Sequence, residues 1–196
     1  MEKRITIGNR VISEDSPAFI IAEMSANHNM DFDRAVAIMQ AAKDAGADAI
    51  KIQTYTADTI TLDCDDPCFQ ITQGTLWDGT TLHKLYETAY TPWEWQPKLK
   101  KIAEEMGLIF FSSPFDLSAV DFLEEMNVPA YKIASFEIND IPMIKKIAKL
   151  GKPMIFATGI AHLSDIELAV QTCKEAGNEQ VILLKCTSAY PAPYEV

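Results

Sequence analysis

The sequence predicts an α/β fold of the (β/α)8 TIM-barrel type, apparently incomplete, with about six strand–helix units and a short N-terminal β-hairpin. Short apolar runs alternate with amphipathic helical segments along most of the chain. Each helical segment is followed by Gly or Asn before the next apolar run. Polar residues collect at the ends of successive apolar runs, which is where parallel α/β sheets carry their active sites.

Composition and charge limit the classes of partner. The 196 residues have the make-up of an ordinary globular protein, and their net charge of −11 argues against a nucleic-acid surface. No apolar stretch approaches the roughly 20 residues that span a bilayer. The polar start lacks a signal region, so we expect a cytoplasmic protein without membrane contact. In such an acidic chain, an anionic substrate needs locally placed cations.

The cysteines are expected to be reduced thiols. Cys64 and Cys68 stand four apart in a predicted loop, whereas Cys173 and Cys186 fall within predicted core elements. A zinc site at the first pair is possible, but neither a second close pair nor a nearby histidine accompanies it.

The N-terminal 17 residues predict a hairpin, with Gly8-Asn9 as the turn between two alternating runs. Residues 18–196 are expected to form one partial barrel domain. Its strands are predicted at 19–24, 49–53, 108–112, 130–135, 154–158 and 181–186. Helix starts are predicted from Asp31, Pro92, Asp116, Asp140 and a capping box at Ser164–Glu167.

Two features remain to be explained by function or topology. The interval from Thr54 to Thr91 is too long for a plain connector, which indicates a functional loop with a short helix near residues 82–89. Periodicity alone does not separate an open doubly wound sheet from a barrel. No Gly-x-Gly-x-x-Gly follows the first strand, which removes the main reason to prefer a dinucleotide-binding sheet.

Candidate site residues follow from this pattern. Lys51 and Gln53 share one side of a strand, and an inward lysine is costly unless it meets an anion. Glu23 ends the first strand as a carboxylate suited to proton transfer. Alternatively, Lys51 extends from an edge strand into solvent and Glu23 pairs with a neighbouring lysine.

The fullest cluster follows the fourth strand, where Lys132, Ser135 and Glu137 supply a cation, a hydroxyl and a base. Ser112 and Ser113 stand before a helix start, where backbone N–H groups attract phosphate, and Thr158-Gly159 repeats this arrangement. As an alternative, these hydroxyls are helix caps only. His28 has three open interpretations: a ligand to a metal, a substrate contact or a brace for its loop. The Trp and Tyr residues between Trp77 and Trp95 are expected to pack the long loop.

Several segments resemble the sialic acid synthase family. They are IAEMSANHN (21–29), AGADAIKIQ (45–53), SPFD (113–116), YKIASFE (131–137), GKP (151–153) with TG (158–159), and LKCTSAYPAPY (184–194). Three forms resemble its pseudaminic acid synthase branch most: EMSANH (23–28), LW (76–77) and AYTPWEW (89–95).

The resemblance implies a transferase of carbohydrate biosynthesis that condenses phosphoenolpyruvate with an N-acetylated amino sugar of the 2,4-diacetamido-2,4,6-trideoxy-altrose type. The product would be a nine-carbon 2-keto sugar acid, with phosphate released. A divalent metal, Mn²⁺ or Mg²⁺, would polarise the sugar aldehyde. The complete enzyme is expected to be a homodimer.

By position, the resemblance also implies residue roles. Glu23 and Glu137 would be catalytic, and Gln53 and Tyr190 would contact the sugar. The remaining predicted substrate-binding residues are Lys51, Ser112, Ser113, Lys132, Ser135, Thr158, Lys185 and Ser188.

Two departures bear on which sugar is accepted: Lys185 stands where the sialic branch commonly has histidine, and Phe136 where it commonly has glycine. The family's metal-binding histidines and C-terminal antifreeze-like domain are expected beyond Val196, with no metal site within this chain. We therefore expect an inactive fragment. Two alternatives stay open: a Schiff-base aldolase or lyase using Lys132 or Lys185, and a non-catalytic phosphoenolpyruvate-binding module.

Overall fold

The computed structural model describes residues 4–72, 74–75 and 77–187. By its internal contacts the chain divides into two compact units. The 19–110 unit runs from Phe19 to Phe110, and the 111–187 unit combines the chain from Phe111 onward with the N-terminal residues up to Ala18.

The predicted N-terminal hairpin is confirmed. Strands β1 (Ile5–Ile7) and β2 (Arg10–Ile12) pair antiparallel, with Ile7 opposite Arg10. Gly8 supplies the positive φ of 58° that this tight turn needs. Ile5 and Ile7 are buried and Thr6 is exposed, which is the alternation expected of a strand with one covered face.

The 19–110 unit begins with a β–α–β segment close to the predicted one. Its elements are β3 (Ile21–Glu23), α1 (Phe32–Asp44) and β4 (Ala49–Thr54), and the two strands pair in parallel. Asp31 caps α1 by accepting the backbone N–H of Arg34 at 3.0 Å. Ala35 and Met39, one helical turn apart, are both fully buried, as the apolar spacing predicted.

The long interval after β4 contains short helical pieces, which confirms the prediction of local structure there. They are α2 (Ala57–Ile60), a 3₁₀ turn (Pro67–Phe69) and α3 (Leu82–Tyr86). A second 3₁₀ turn (Trp93–Trp95) and α4 (Gln96–Glu105) follow the interval. The helix predicted from Pro92 therefore starts later. Pro97 has no N–H to donate and fits only the first turn of an α-helix, so α4 begins at Gln96.

The 111–187 unit continues the alternation of strand and helix. Its elements are β5 (Ile109–Pro114, shared with the other unit), α5 (Leu117–Glu125), β6 (Tyr131–Ile133), a 3₁₀ turn (Ser135–Glu137), α6 (Ile141–Ala148), β7 (Met154–Ala157), α7 (Leu163–Glu175) and β8 (Val181–Leu184). Strands β5 to β8 pair in parallel with their sequence neighbours.

Strand order decides between the two sheet topologies. In the part of the chain that the structure describes, the parallel strands follow one another from β3 to β8 without a reversal. A doubly wound sheet reverses its order at a switch point, whereas a β/α barrel does not. The barrel-type prediction is thereby confirmed.

Besides the later start of α4, helix ends follow the prediction with one further correction. Gly46, Gly107, Asn127, Gly151 and Gly177 each have positive φ just after a helix, a conformation that Asn tolerates and Gly adopts at no cost. The predicted capping box at Ser164–Glu167 is wrong. Helix α7 starts at Leu163, and Asp165 accepts the backbone N–H of His162 at 2.9 Å, so the cap lies two residues earlier.

Among the described residues, every helix is too short or too polar to span a membrane.

Candidate active site

A buried lysine lies at the carboxyl end of the first two strands of the 19–110 unit. Lys51 is only 5% exposed and stands opposite Glu23 in the β3–β4 register. Its Nζ lies 3.5 Å from Oε1 of Glu23. Burial lowers the pKa of Lys51, and the Glu23 carboxylate partly restores it. Because the Glu23 side chain is 56% exposed, one side of this ion pair stays open to solvent and to a ligand.

Two strand positions further on, Gln53 lines a cavity of about 410 Å³. That volume is within the range of small-molecule sites. Its walls come from the turn after β3, the end of β4 and the segment around α3. They comprise Ser25, Ala26, Asn27, Asn29, Gln53, Tyr55, Trp77, Leu85, Thr88 and Ala89. Amide and hydroxyl groups beside aromatic rings can bind a polar ligand that also has apolar faces, such as a sugar.

His28 lies within the turn after β3 (residues 25–30), and its buried side chain braces that turn. Its Nδ1 accepts the backbone N–H of Met30 at 3.1 Å, and its Nε2 lies 3.2 Å from Oγ1 of Thr91. The ring also meets Trp95 edge to face, with 5.6 Å between ring centroids. Burial lowers the pKa of His28. Of the three interpretations left open for His28, this geometry supports the brace.

In the 111–187 unit, Glu137 follows β6 on the 3₁₀ turn and has an unusual proton affinity. Burial raises its pKa to about 7, against the smaller opposing effects of a backbone hydrogen bond and of Lys132. Its Oε2 is buried without a hydrogen-bond partner among the described residues. A carboxyl group that titrates near neutral pH can serve as a general acid or base.

Lys132 and Phe136 stand near this carboxyl group in the chain. Lys132 is 7% exposed, and its Nζ donates a 2.9 Å hydrogen bond to the carbonyl of Ile133. Phe136, between Ser135 and Glu137, is 74% exposed. An exposed aromatic side chain and a buried carboxyl oxygen thus share one 3₁₀ turn.

The two serines of β5 point to opposite faces of the sheet. Ser112 lies opposite Tyr131 in the β5–β6 register, so both side chains leave on one face. The Tyr131 hydroxyl donates to Glu124 of α5 at 3.0 Å, which identifies that face as the helix-covered one. Ser113 therefore shares the other face with Lys132. Its Oγ is buried and unpartnered within the described part of the chain.

Ser135 and Thr158 connect neighbouring strand ends. The Ser135 hydroxyl oxygen accepts the backbone N–H of Ile160 at 3.0 Å. Both the N–H and the hydroxyl of Thr158 donate to the carbonyl of Leu184, at 3.2 and 2.9 Å. Since the hydroxyl proton of Thr158 is donated within the protein, its predicted role toward an anion stays a prediction.

The remaining predicted residues lie at or after β8. Strand β8 ends at Leu184, so Lys185 follows the strand and is exposed. Ser188 and Tyr190 lie outside the described residues. Their predicted roles stay predictions.

Apart from Gln53, the sequence analysis did not select the residues that line the cavity. Ser25 and Asn29 have positive φ, as does Met30, so this turn is held in a sparsely populated conformation. The signal was present in Asn27-His28-Asn29, because Asn is enriched in left-handed turns. Trp77 also differs from the expectation of packing. It is 53% exposed and lines the cavity, whereas Trp95 packs against Phe32 and His28 as expected.

Across residues 4–72, 74–75 and 77–187, no three His, Cys, Asp or Glu side chains lie together as a metal-binding group. The described residues therefore do not by themselves supply a ligand set for the divalent metal that the family resemblance implies. The four cysteines all lie within the described ranges and form no disulfide there, as expected.

A family model and curated relatives match this chain over most of its length. The NeuB family model matches residues 38–196. Pseudaminic acid synthase of Helicobacter pylori is 46% identical over 91% of this chain and 52% of its own length. The enzyme of the same name from Campylobacter jejuni strain 81-176 is 48% identical over 96% of this chain and 54% of its own. The chain thus spans about half the length of the curated relatives it matches.

A solved structure supports the fold over the whole chain. It is the sialic acid synthetase of Leptospira borgpetersenii in complex with citrate, which superposes with a TM-score of 0.85 at 31% identity. That match covers 100% of this chain and 63% of the other. From the family model and these relatives together, the chain belongs to the NeuB family.

Proposed function

We propose that the protein carrying this chain condenses phosphoenolpyruvate with an N-acetylated amino sugar in its open aldehyde form. The product is a nine-carbon 2-keto sugar acid, and phosphate is released. The observation that carries the proposal is the Glu137 carboxyl group, whose Oε2 is buried without a described hydrogen-bond partner and whose pKa is raised by burial to about 7, near buried Lys132. The identity of 46–48% to enzymes named pseudaminic acid synthase supports the same reaction class.

The reaction needs a proton at one defined atom. C3 of phosphoenolpyruvate forms a bond to the aldehyde carbon, and the aldehyde oxygen must be protonated as it becomes a hydroxyl. Water adds at C2, and phosphate leaves by cleavage of the bond between C2 and the bridging oxygen. We assign Glu137, in its protonated form, to the aldehyde oxygen, since its raised pKa keeps that form populated near pH 7.

Phosphoenolpyruvate is an anion and needs cations on a protein of net charge −11. We assign Lys51 and Lys132 to its carboxylate and phosphate, together with the hydroxyl of Ser135. Of the two β5 serines we favour Ser113, because it shares a sheet face with Lys132 and its hydroxyl lacks a described partner. Glu23 would keep Lys51 charged despite burial.

The sugar is assigned to Gln53 and the cavity beside it. Amide groups from Asn27, Asn29 and Gln53 suit the hydroxyl and acetamido groups of the substrate, and Tyr55 and Trp77 suit its carbon face. Within this class we favour a 2,4-diacetamido-2,4,6-trideoxy sugar of the pseudaminic type, since the relatives of 46–48% identity carry that name.

The metal, the dimer and the cytoplasmic location also belong to the proposal. A divalent ion would supply Lewis-acid polarisation of the aldehyde in the whole protein. If the proposal holds, treatment with EDTA abolishes turnover and added Mn²⁺ restores it. Phosphoenolpyruvate is an intracellular metabolite, and four cysteines without a disulfide suit a reducing compartment.

The deciding experiment follows phosphate release from phosphoenolpyruvate labelled with ¹⁸O at the bridging oxygen. With Mn²⁺ and the diacetamido sugar, we expect the label in phosphate and a 2-keto acid in equal amount. N-Acetylmannosamine serves as the matched competitor sugar. Label retained in the organic product, or no sugar-dependent release from the complete protein, would overturn the proposal.

The two alternatives give different results in parallel assays. Borohydride with substrate traps a covalent adduct on lysine only in a Schiff-base aldolase. Calorimetry that detects phosphoenolpyruvate binding without phosphate release, in the complete protein with sugar and Mn²⁺, would favour the non-catalytic binding module.

A further inference from the structure

A buried chain of hydrogen bonds runs through the 19–110 unit from the end of β4 to the turn after β3. The Thr54 hydroxyl donates to Oε1 of Gln96 at 2.8 Å, and Nε2 of Gln96 donates to the Thr91 carbonyl at 3.1 Å. His28 continues the chain from Thr91 to Met30. Thr54, Gln96, Thr91 and His28 are each at most 1% exposed, so water does not compete for these bonds.

The hydrogen bonds of His28 determine which of its two ring nitrogens carries the proton. The backbone N–H of Met30 can only donate, so Nδ1 must carry a lone pair. The ring proton of the neutral imidazole is therefore on Nε2, and it is donated to Oγ1 of Thr91. An imidazolium ring would place a second donor against the Met30 N–H and break this contact.

The chain of hydrogen bonds ends at the turn after β3, which is held in an unfavourable backbone conformation. Ser25, Asn29 and Met30 all have φ between 49° and 57°, which side chains other than Gly and Asn rarely adopt. Such conformations persist only where the surroundings over-determine them. The Met30 N–H bond to His28 is the contact that links this conformation to the buried chain.

The same turn forms one wall of the cavity that contains Gln53. Ser25, Asn27 and Asn29 all line it. Thr54 is the next residue after Gln53 on β4, so one end of the hydrogen-bond chain lies next to a cavity-lining residue of the strand and the other end lies in the cavity-lining turn.

We propose that His28 is a positioning residue. As the Nε2–H tautomer, anchored through Thr91 and Gln96 to Thr54, it holds the turn after β3 so that Asn27 and Asn29 face the cavity at a fixed distance from Gln53. The residue acts on sugar binding and contacts no reacting atom. The part of this inference that concerns the sugar rests on the proposed function.

The positioning itself is tested without any substrate. Thr91→Val preserves shape but removes the acceptor for His28, whereas Thr91→Ser keeps it. In hydrogen-exchange NMR we expect the Met30 amide to exchange about tenfold faster in Thr91→Val and within about twofold of wild type in Thr91→Ser. The amides of β4 serve as the control for an intact core. Equal exchange at Met30 in both variants would overturn the proposal.

A measurement on the wild-type protein keeps the proposal testable even if a variant fails to fold. The ¹⁵N shifts of the His28 imidazole at pH 7 should show a protonated Nε2 and an unprotonated Nδ1. A protonated Nδ1 would contradict the geometry on which the proposal rests.

Steady-state kinetics on the complete protein then test the role toward the sugar. We expect Thr91→Val to raise the KM of the sugar by about tenfold, while kcat and the KM of phosphoenolpyruvate change by less than about twofold. Thr91→Ser should restore the sugar KM. A parallel rise in both KM values would indicate a general structural defect and overturn the role. If wild type releases no phosphate with any sugar, the proposed function fails, and the exchange and NMR experiments still decide the positioning.

Discussion

At the scale of a single residue, the buried carboxyl group of Glu137 suits the proposed reaction but lowers the stability of the fold when it is ionised. Its folded pKa, about 7, lies above the ordinary value of 4.5 because the carboxyl group is buried. The folded state thus binds more protons than the unfolded state between these values, so its contribution to stability is present at low pH and lost as pH rises through about 7. The residue is least favourable to folding where it is ionised.

Glu137→Gln should therefore stabilise the fold and impair the reaction. We expect the free energy of unfolding to rise by about 1–2 kcal/mol at pH 8, allowing for solvent screening, and to stay unchanged at pH 4.5. We also expect kcat to fall by about 10²–10⁴-fold, with loss of the decline in rate above pH 7. Denaturation at both pH values and a pH–rate profile check this. Lower stability at pH 8 would contradict the assignment.

Lys51 allows a second test at this scale, because its partner Glu23 is half exposed. In Lys51→Met the Glu23 carboxylate can regain water, so we expect stability within about 1 kcal/mol of wild type. The KM of phosphoenolpyruvate should rise by about 10–100-fold through loss of a charged contact. The exposed Lys98, changed to Met, is the matched control. An unchanged KM in Lys51→Met would exclude the anion-binding role.

Sequence reasoning at this scale succeeded where a polar residue had to be buried. Lys51 was selected because an inward lysine is costly without an anion, and Lys132 and Glu137 as the cation and base of the cluster after the fourth strand. The structure buries all three in part or fully. It did not separate Ser112 from Ser113, since the face that each serine takes depends on the β5–β6 register. Register is a pairing property and is not contained in either strand alone.

At the scale of elements, helix starts were the most predictable features. Asp31, Asp116 and Asp140 were each expected to cap a helix, and each accepts a backbone N–H of the first turn. The start of α7 was misplaced, because Ser164 suits an N-cap by composition, whereas the helix begins at Leu163 and its N-cap is His162, whose N–H is accepted by Asp165. The cap is decided by where the preceding chain enters the helix, and sequence spacing does not fix that.

Asp116 gives a test of how much a cap contributes. Its carboxylate accepts the N–H groups of Ser118 and Ala119, at 3.2 and 2.9 Å. Asp116→Ala should lower the free energy of unfolding by about 1 kcal/mol, whereas Asp116→Asn, which retains an acceptor, should lower it by less than about half of that. Urea denaturation monitored by circular dichroism is sufficient. Equal losses in the two variants would indicate that charge and not capping matters.

At the scale of the whole molecule, the order of strands was predictable and the division into two units was not. Alternating strand and helix patterns with short connections favour neighbouring parallel strands in chain order, and β3 to β8 follow that rule. The boundary between the units falls inside β5, which reads as one continuous strand in the sequence. The cavity beside Gln53 was missed for a related reason, because its walls come from segments that are distant in the chain.

The cysteines provide a readout of global opening. Cys173 is fully buried and its pKa is raised to about 11 by burial, whereas Cys68 is exposed. We expect a thiol reagent to label Cys68 within seconds in the native state and Cys173 only as fast as the fold opens. Mass spectrometry of labelled peptides separates the sites. Rapid labelling of Cys173 without denaturant would reveal local opening around α7.

The exposed Phe136 and the Glu137 carboxyl group lie on one 3₁₀ turn, which has a consequence for how the acid is switched on. A substrate that covers this turn would exclude water from the carboxyl group and so raise its pKa. The ligand would then complete the acidity required for its own conversion. The high-pH limb of the rate profile should accordingly lie at higher pH for kcat, which reports the bound enzyme, than for kcat/KM, which reports the unbound one.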